Sequence, residues 1–99
     1  MGKLVRDLIP QIIEASGRTP VTSVVTGSDL IKALKDKLIE EAQEVFDAPA
    51  EKVIEELADV QEVIAALISE LKIDEQELKQ LQSAKRDERG GFGSGIILN

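Results

Sequence analysis

The fold is decided by residues 38–62, LIEEAQEVFDAPAEKVIEELADVQE, in which two amphipathic stretches flank the helix-breaking sequence Asp47-Ala48-Pro49. The first stretch belongs to a predicted helix that begins with Ser28 or Asp29 as its cap and runs to about Asp47, with apolar residues at intervals of three and four. The second belongs to a predicted helix over about Ala50–Leu71. Because the connection is so short, the two helices must pack antiparallel as a helical hairpin.

A short helix is predicted on the N-terminal side of the hairpin. Within Lys3–Gly17 apolar residues recur at helical spacing, Asp7 is a candidate N-cap, and Pro10 falls in the first turn, where proline is tolerated. Gly17 suits the position after the C-cap, where left-handed backbone is common. Residues 19–26 are rich in valine, threonine and serine, which favours a short extended segment or an irregular loop.

The C-terminal side is predicted to hold one more helix and a tail. Asp74 with Glu77 three residues later forms a capping box for a helix to about Asp87, and residues 89–98 are glycine-rich before they become apolar. We therefore predict one all-α domain over residues 1–99, a helical hairpin with short flanking helices. Because so short a hairpin leaves its apolar faces partly uncovered, we expect a homo-oligomer, a dimer or a tetramer, that completes a four-helix bundle.

Composition narrows the chemistry that the chain can perform. Its 99 residues include no cysteine and no histidine, which excludes disulfides, thiolate metal sites and every mechanism with an imidazole base. The net charge of −7 and the presence of only two aromatic residues argue against binding to nucleic acid or to an acidic membrane surface. No apolar run approaches the roughly 20 residues of a membrane span, and the first ten residues carry charge, so we expect a cytoplasmic protein.

The negative charge is concentrated on the hairpin. Residues 36–62 contain ten acidic residues and two basic ones, so this segment accounts for the entire net charge. At about 100° per residue, Glu41 falls within the apolar arc of the first long helix and Glu44 lies on its margin. On the second long helix Glu56 points into the apolar seam, and Asp59 lies one step outward. Each pair has i,i+3 spacing, so its two carboxylates project from one face.

These four carboxylates predict a metal site. A carboxylate directed into an apolar seam costs several kcal/mol unless a cation compensates it, and we identify no arginine or lysine on the same seam of either helix. Antiparallel packing can bring the two pairs opposite each other. Because every ligand would be an oxygen, the site favours a hard octahedral ion, Mg²⁺ or Mn²⁺, over zinc.

The same residues resemble the signature of a known family. Glu40-Glu41-Ala42-Gln43-Glu44 followed by Glu56-Leu57-Ala58-Asp59 is similar to the EExxE…ExxD signature of the all-α nucleoside triphosphate pyrophosphohydrolases. Residues 3–10, KLVRDLIP, with Lys85 and residues 89–92, RGGF, resemble the MazG-like branch, which includes phosphoribosyl-ATP pyrophosphohydrolase-like enzymes. The resemblance covers nearly the whole chain. It departs after Phe92, where Gly-Ser-Gly stands in place of charged residues.

The resemblance implies an activity and a set of site residues. It implies hydrolysis of the α,β-phosphoanhydride of a nucleotide to a monophosphate and pyrophosphate, in a housekeeping role or on a phosphoribosyl-ATP-like substrate. Glu40 and Glu41 are then the catalytic residues, Glu40 as an extra ligand or a base that orients water. Mg²⁺ would screen the phosphates and lower the pKa of an attacking water. The implied Mg²⁺ ligands are Glu41, Glu44, Glu56 and Asp59, and the candidate phosphate-binding residues are Lys3, Arg6, Lys85 and Arg89.

Two other functions are compatible with the same pattern. A non-catalytic acidic helical module that dimerises and binds a basic protein would use the seam carboxylates in salt bridges and would be insensitive to divalent cations. A metal-buffering protein would bind Mg²⁺ or Mn²⁺ without turnover. The acidic residues that point away from the seam, Glu51, Glu55 and Glu62, fit an ordinary solvated helix face.

Overall fold

The computed structural model describes residues 2–99, and the regular structure in this part of the chain is entirely helical. A single 3₁₀ turn at Ala50–Lys52 precedes the third α-helix. The predicted all-α class is confirmed, and residues 19–26 form an irregular segment. The four helices in chain order are α1 (Ile9–Ala15), α2 (Gly27–Asp47), α3 (Val53–Glu70) and α4 (Glu75–Arg89).

The predicted helical hairpin is formed by α2 and α3, which pack against each other. Leu34 of α2 and Val63 of α3 are the buried hydrophobic residues between them, with 5% and 8% of their surface exposed. The break lies where the sequence predicts it, because Ala48 and Pro49 both have extended backbone. A residue before proline disfavours helical backbone, and this ends α2.

The helix starts differ from the predicted caps. Thr26, and not Ser28 or Asp29, is the N-cap of α2, so that Asp29 lies in the first turn, where its charge interacts favourably with the helix dipole. Asp7 is not the N-cap of α1. The carbonyl of Arg6 accepts a hydrogen bond from the backbone N–H of Ile9 at 3.0 Å, and this turn encloses Asp7, so the helix starts later.

The remaining helix ends follow the predictions. Gly17 has φ +90° after the end of α1, and the N–H groups of Gly17 and Arg18 bond to the carbonyls of Glu14 and Ile13, which is a Schellman motif. Asp74 caps α4: its Oδ1 accepts from the backbone N–H of Gln76 at 2.8 Å and of Glu77 at 3.3 Å. Within residues 2–99 the side chain of Glu77 makes no return hydrogen bond, so half of the capping box forms.

The hairpin has two unlike faces, which follow from helical phase. Ile39 and Phe46 on α2, like Leu57 and Ile64 on α3, lie seven residues apart and share a side of their helix. Because the helices are antiparallel, both pairs fall on the same side of the hairpin, the apolar face, where the four side chains are 39–83% exposed. The opposite side, the acidic face, carries Glu40, Glu44, Asp59 and Glu62.

The molecule is much more extended than a compact domain. Its radius of gyration is 17.2 Å and its dimensions are 52 × 34 × 23 Å, whereas a compact chain of this length has a radius of gyration of about 13 Å. The cause is that α4 and the tail do not pack extensively on the hairpin, and α4 has no buried residue. None of the helices in residues 2–99 is long and apolar enough to cross a lipid bilayer.

Candidate functional site

Three of the predicted metal ligands converge between the two helices of the hairpin. Glu41 comes from α2, and Glu56 and Asp59 come from α3; each offers a carboxylate oxygen within 4.8 Å of the other two. We call these three residues the carboxylate cluster. Glu41 is 9% exposed, and among residues 2–99 it is the charged residue that is buried. The i,i+3 spacing of Glu56 and Asp59 is what places both on the side of α3 that meets Glu41.

The chemistry of the cluster can be compared with what a small hard cation requires. Ligands of an octahedral Mg²⁺ ion lie about 2.1 Å from the metal and therefore about 3–4 Å from one another. The three carboxylate oxygens lie within 4.8 Å of one another, which is somewhat wider than that range. The donor set contains only oxygen, which suits Mg²⁺ or Mn²⁺, and the remaining positions would be left for water and phosphate oxygens.

Glu44, the fourth predicted ligand, lies outside the carboxylate cluster. It is exposed and lines a groove near the helix connection together with Asp47, Lys52 and Glu56. Its charge still acts on the cluster. Desolvation raises the pKa of Glu56 above that of an ordinary carboxyl, and the negative charges of Glu44 and Asp59 raise the pKa further.

Lys37 corrects the expectation that no cation lies on the seam. Its Nζ is 3.1 Å from Glu41 Oε1 and 3.3 Å from Glu40 Oε1, and its side chain is 17% exposed. Burial by itself would lower the pKa of Lys37, but hydrogen bonds to Glu41 and Glu40 outweigh it and raise the pKa. The i,i+4 spacing of Lys37 and Glu41 is the sequence signal that identifies this residue. The buried Glu41 carboxylate is thus compensated in part by the protein itself.

Glu40 stands beside the cluster and has one free oxygen. Lys3 and Lys37 both donate to its Oε1, at 3.1 and 3.3 Å, while its Oε2 has no hydrogen-bond partner among the described residues. The hydrogen bond from Lys3 is the main reason that the pKa of Glu40 lies below that of an ordinary carboxyl. Glu40 is therefore ionised at neutral pH and can orient a water molecule, but it is a weak proton acceptor.

The four predicted phosphate-binding residues divide into two groups. Lys3 and Arg6 lie at the acidic face: Lys3 pairs with Glu40, and Arg6 Nη2 donates to Asp59 Oδ1 at 2.7 Å. Lys85 and Arg89 lie on α4, which does not pack extensively on the hairpin, and within residues 2–99 they make no ion pair with the cluster. Arg89 instead lines an open cavity of the tail together with Phe92 and Ile96.

Comparison with known proteins gives a partial match. No family model matches the chain, and no solved structure matches it. A protein of Mycolicibacterium smegmatis (strain ATCC 700084 / mc(2)155), described as an uncharacterized protein, is 49% identical to this chain over 45 residues. The matched segment makes up 46% of this chain and 46% of that protein, so the match covers less than half of the relative. Its name states no activity, and the resemblance to the MazG-like enzymes stays a prediction from the motifs.

Proposed function

We propose that the chain is a MazG-like nucleotide pyrophosphohydrolase domain that depends on Mg²⁺, with Mn²⁺ able to replace it. The observation that carries this proposal is the convergence of Glu41, Glu56 and Asp59 from two helices. Glu56 gives the strongest support, because no cationic group of residues 2–99 pairs with it and its pKa is raised by desolvation and by neighbouring carboxylates. A carboxylate held in this way is stabilised by a bound cation.

In the proposed reaction, water attacks the α-phosphorus of a nucleotide and pyrophosphate leaves. Glu41, Glu56 and Asp59 would hold Mg²⁺, and Glu44, which lines a groove together with Glu56, is the fourth predicted ligand. When bound, Mg²⁺ supplies charge neutralisation of the phosphates and a lowered pKa of a coordinated water. The free Oε2 of Glu40 orients the attacking water, and Lys37 keeps Glu40 and Glu41 in place. A nucleotide substrate also fits the cytoplasmic location expected from the sequence.

We further propose that the functional unit is a homo-oligomer. The apolar face leaves Ile39, Phe46, Leu57 and Ile64 exposed, and the hairpin buries few side chains by itself. A second hairpin packed on this face would bury these residues and complete a four-helix bundle. This contact would leave the acidic face uncovered by the second hairpin, because that face lies on the other side.

The proposal is tested by cation-dependent melting and by product release. Millimolar Mg²⁺ or Mn²⁺ should raise the melting temperature of the wild-type protein, by the equivalent of about 1.4 kcal/mol at a tenfold excess over Kd. Glu41→Gln should abolish both this rise and the release of pyrophosphate from a panel of nucleotides. Glu62→Gln is the matched control, because Glu62 lies on α3 outside the cluster, and it should behave like the wild type. Turnover that persists in Glu41→Gln contradicts the assignment.

A non-catalytic interaction module remains the second candidate, and one observation favours it. The ion pairs Lys37–Glu41 and Arg6–Asp59 satisfy two of the three cluster carboxylates without any metal. A module of this kind would melt at the same temperature with and without divalent cations, both as the wild-type protein and as Glu41→Gln. The same melting experiment therefore separates the two functions.

A further inference from the structure

Residues 2–7 form a segment, which we call the N-terminal strap, that lies across the acidic face and bridges both helices of the hairpin. Lys3 Nζ donates to Glu40 Oε1 of α2 at 3.1 Å, and Arg6 Nη2 donates to Asp59 Oδ1 of α3 at 2.7 Å. Residues 2–6 have no regular secondary structure, and Leu4, which lies between the two anchors, is partly buried. Two ion pairs to residues far away in the sequence thus join the strap to the hairpin.

Both ion pairs are exposed to water. The side chains of Lys3 and Arg6 are 70% and 56% exposed, and that of Asp59 is 41% exposed. Exposed ion pairs contribute little to stability, because solvent screens them and the side chains lose conformational freedom on pairing. The two ion pairs therefore hold the strap weakly, and a change in charge at either anchor would alter its docking.

One anchor is also a member of the carboxylate cluster. A divalent cation held by Glu41, Glu56 and Asp59 would offset two of the three negative charges of the carboxylate cluster, close to the guanidinium group of Arg6. The attraction that docks the strap would then be weaker. The side-chain oxygen that Arg6 contacts, Oδ1, belongs to the same carboxylate that the cation would use.

We propose that the N-terminal strap and a divalent cation bind the carboxylate cluster alternately, so that cation binding releases the strap from the acidic face. The inference rests on the proposed function, because that function supplies the cation. Release has a chemical consequence for Lys3 and Arg6. Once freed from Glu40 and Asp59, their cationic groups are available to the phosphates of a nucleotide, and the guanidinium fork of Arg6 suits paired phosphate oxygens.

The first test measures Mn²⁺ binding by calorimetry. Arg6→Gln removes the competing cation and should bind Mn²⁺ about twofold to fivefold more tightly than the wild type, the factor that corresponds to the loss of an exposed ion pair. Arg18→Gln makes the same change of charge at a residue that has no ion pair within residues 2–99, and it should leave the affinity unchanged. Equal affinities for Arg6→Gln and the wild type overturn the proposal.

The second test follows release of the strap by limited trypsin digestion and mass spectrometry. Mn²⁺ should accelerate cleavage after Lys3 and Arg6 relative to cleavage after Arg18, which serves as the internal standard for trypsin activity. Glu41→Gln, which weakens the cation site, should abolish this acceleration. A relative rate that stays constant or falls with Mn²⁺ shows that the strap remains docked, and Arg6 then orients Asp59 as a fixed partner, which contradicts alternate binding.

The outcomes separate this inference from the proposed function. Arg6→Gln could bind Mn²⁺ more tightly and Mn²⁺ could speed cleavage of the strap, while no nucleotide is hydrolysed. This result would support alternate binding and refute the proposed enzymatic activity. If hydrolysis depends on Glu41 but Arg6→Gln binds Mn²⁺ with the affinity of the wild type, the enzymatic activity is supported and alternate binding is refuted. A wild-type protein that binds no Mn²⁺ rejects both.

Discussion

Glu56 is the residue at which stability and the proposed function oppose each other. Its pKa lies above that of an ordinary carboxyl, chiefly through desolvation and then through the charges of Glu44 and Asp59. The folded state therefore binds this proton more tightly than the unfolded state does. As the pH rises from the ordinary carboxyl range through the raised pKa, ionisation of Glu56 disfavours the folded protein, and this penalty persists at neutral pH.

We therefore predict that Glu56→Gln raises the melting temperature of the cation-free protein at pH 7.5, because it removes the ionised group. The gain over the wild type should shrink towards zero at about pH 3, below the ordinary carboxyl pKa, where Glu56 is protonated in both states. The same variant should lose the rise in melting temperature caused by Mn²⁺. Melting curves at both pH values, with and without Mn²⁺, check this, and Glu62→Gln should track the wild type throughout. A lower melting temperature for Glu56→Gln at pH 7.5 would refute the argument.

Lys37 is the residue of the site whose position helical phase alone does not predict. Helical phase places Glu41 in the apolar arc correctly, and the structure buries it. Phase assigns Lys37 to the flank of that arc, yet a lysine stem is long enough to lie along apolar surface and return its ammonium group to the seam. The direction of a Cβ atom is readable from the sequence, whereas the position of a flexible charged end depends on which partners the fold supplies.

At the scale of elements, the two long helices and their break were predictable because their signals are local. Apolar periodicity and the Ala48-Pro49 pair fix α2 and α3 to within a few residues. The start of α1 was not predictable in the same way, because the turn closed by Arg6 and Ile9 competes with a cap at Asp7. The docking of Arg6 on Asp59 is likewise a tertiary contact that no local pattern encodes.

The fourth helix, α4, gives a prediction at this scale. It has no buried residue and little support from packing, so its stability depends on its own ends. Asp74→Ala removes the acceptor for the N–H groups of Gln76 and Glu77 and should cost about 1 kcal/mol of helix stability. The amide protons of α4 should then exchange about fivefold faster, as measured by NMR, while those of α2 and α3 keep their rates. Asp87→Ala, at the other end of α4, is the control and should not accelerate exchange. Equal exchange rates of the α4 amides in Asp74→Ala and in the wild type would show that the cap is dispensable.

At the scale of the whole molecule, the apolar face predicts self-association. Leu57 and Ile64 are 48% and 39% exposed, and their neighbours across the face, Ile39 and Phe46, are still more exposed. Ile64→Lys places a charge in the proposed contact and should weaken association by at least about tenfold, since an unpaired buried charge costs more than about 1.4 kcal/mol. Analytical ultracentrifugation gives the mass directly.

The control for this prediction is Val21→Lys. Val21 is fully exposed in the irregular segment before α2, so the same change of charge there should leave the oligomer intact. A wild-type protein that sediments as a monomer at all concentrations would refute the bundle. The separation of the two faces also predicts that Ile64→Lys reduces association without removing the carboxylates that would hold Mg²⁺.

The position of the N-terminal strap has a consequence for the way the chain is made. The hairpin closes across a connection of a few residues, which costs little entropy, so α2 and α3 can pair soon after both have been synthesised. Arg6, by contrast, is synthesised 53 residues before its partner Asp59. At ordinary rates of translation it waits roughly 3–10 s for that partner to be added. The strap is thus synthesised before the hairpin but can reach its place only after α3 has been added.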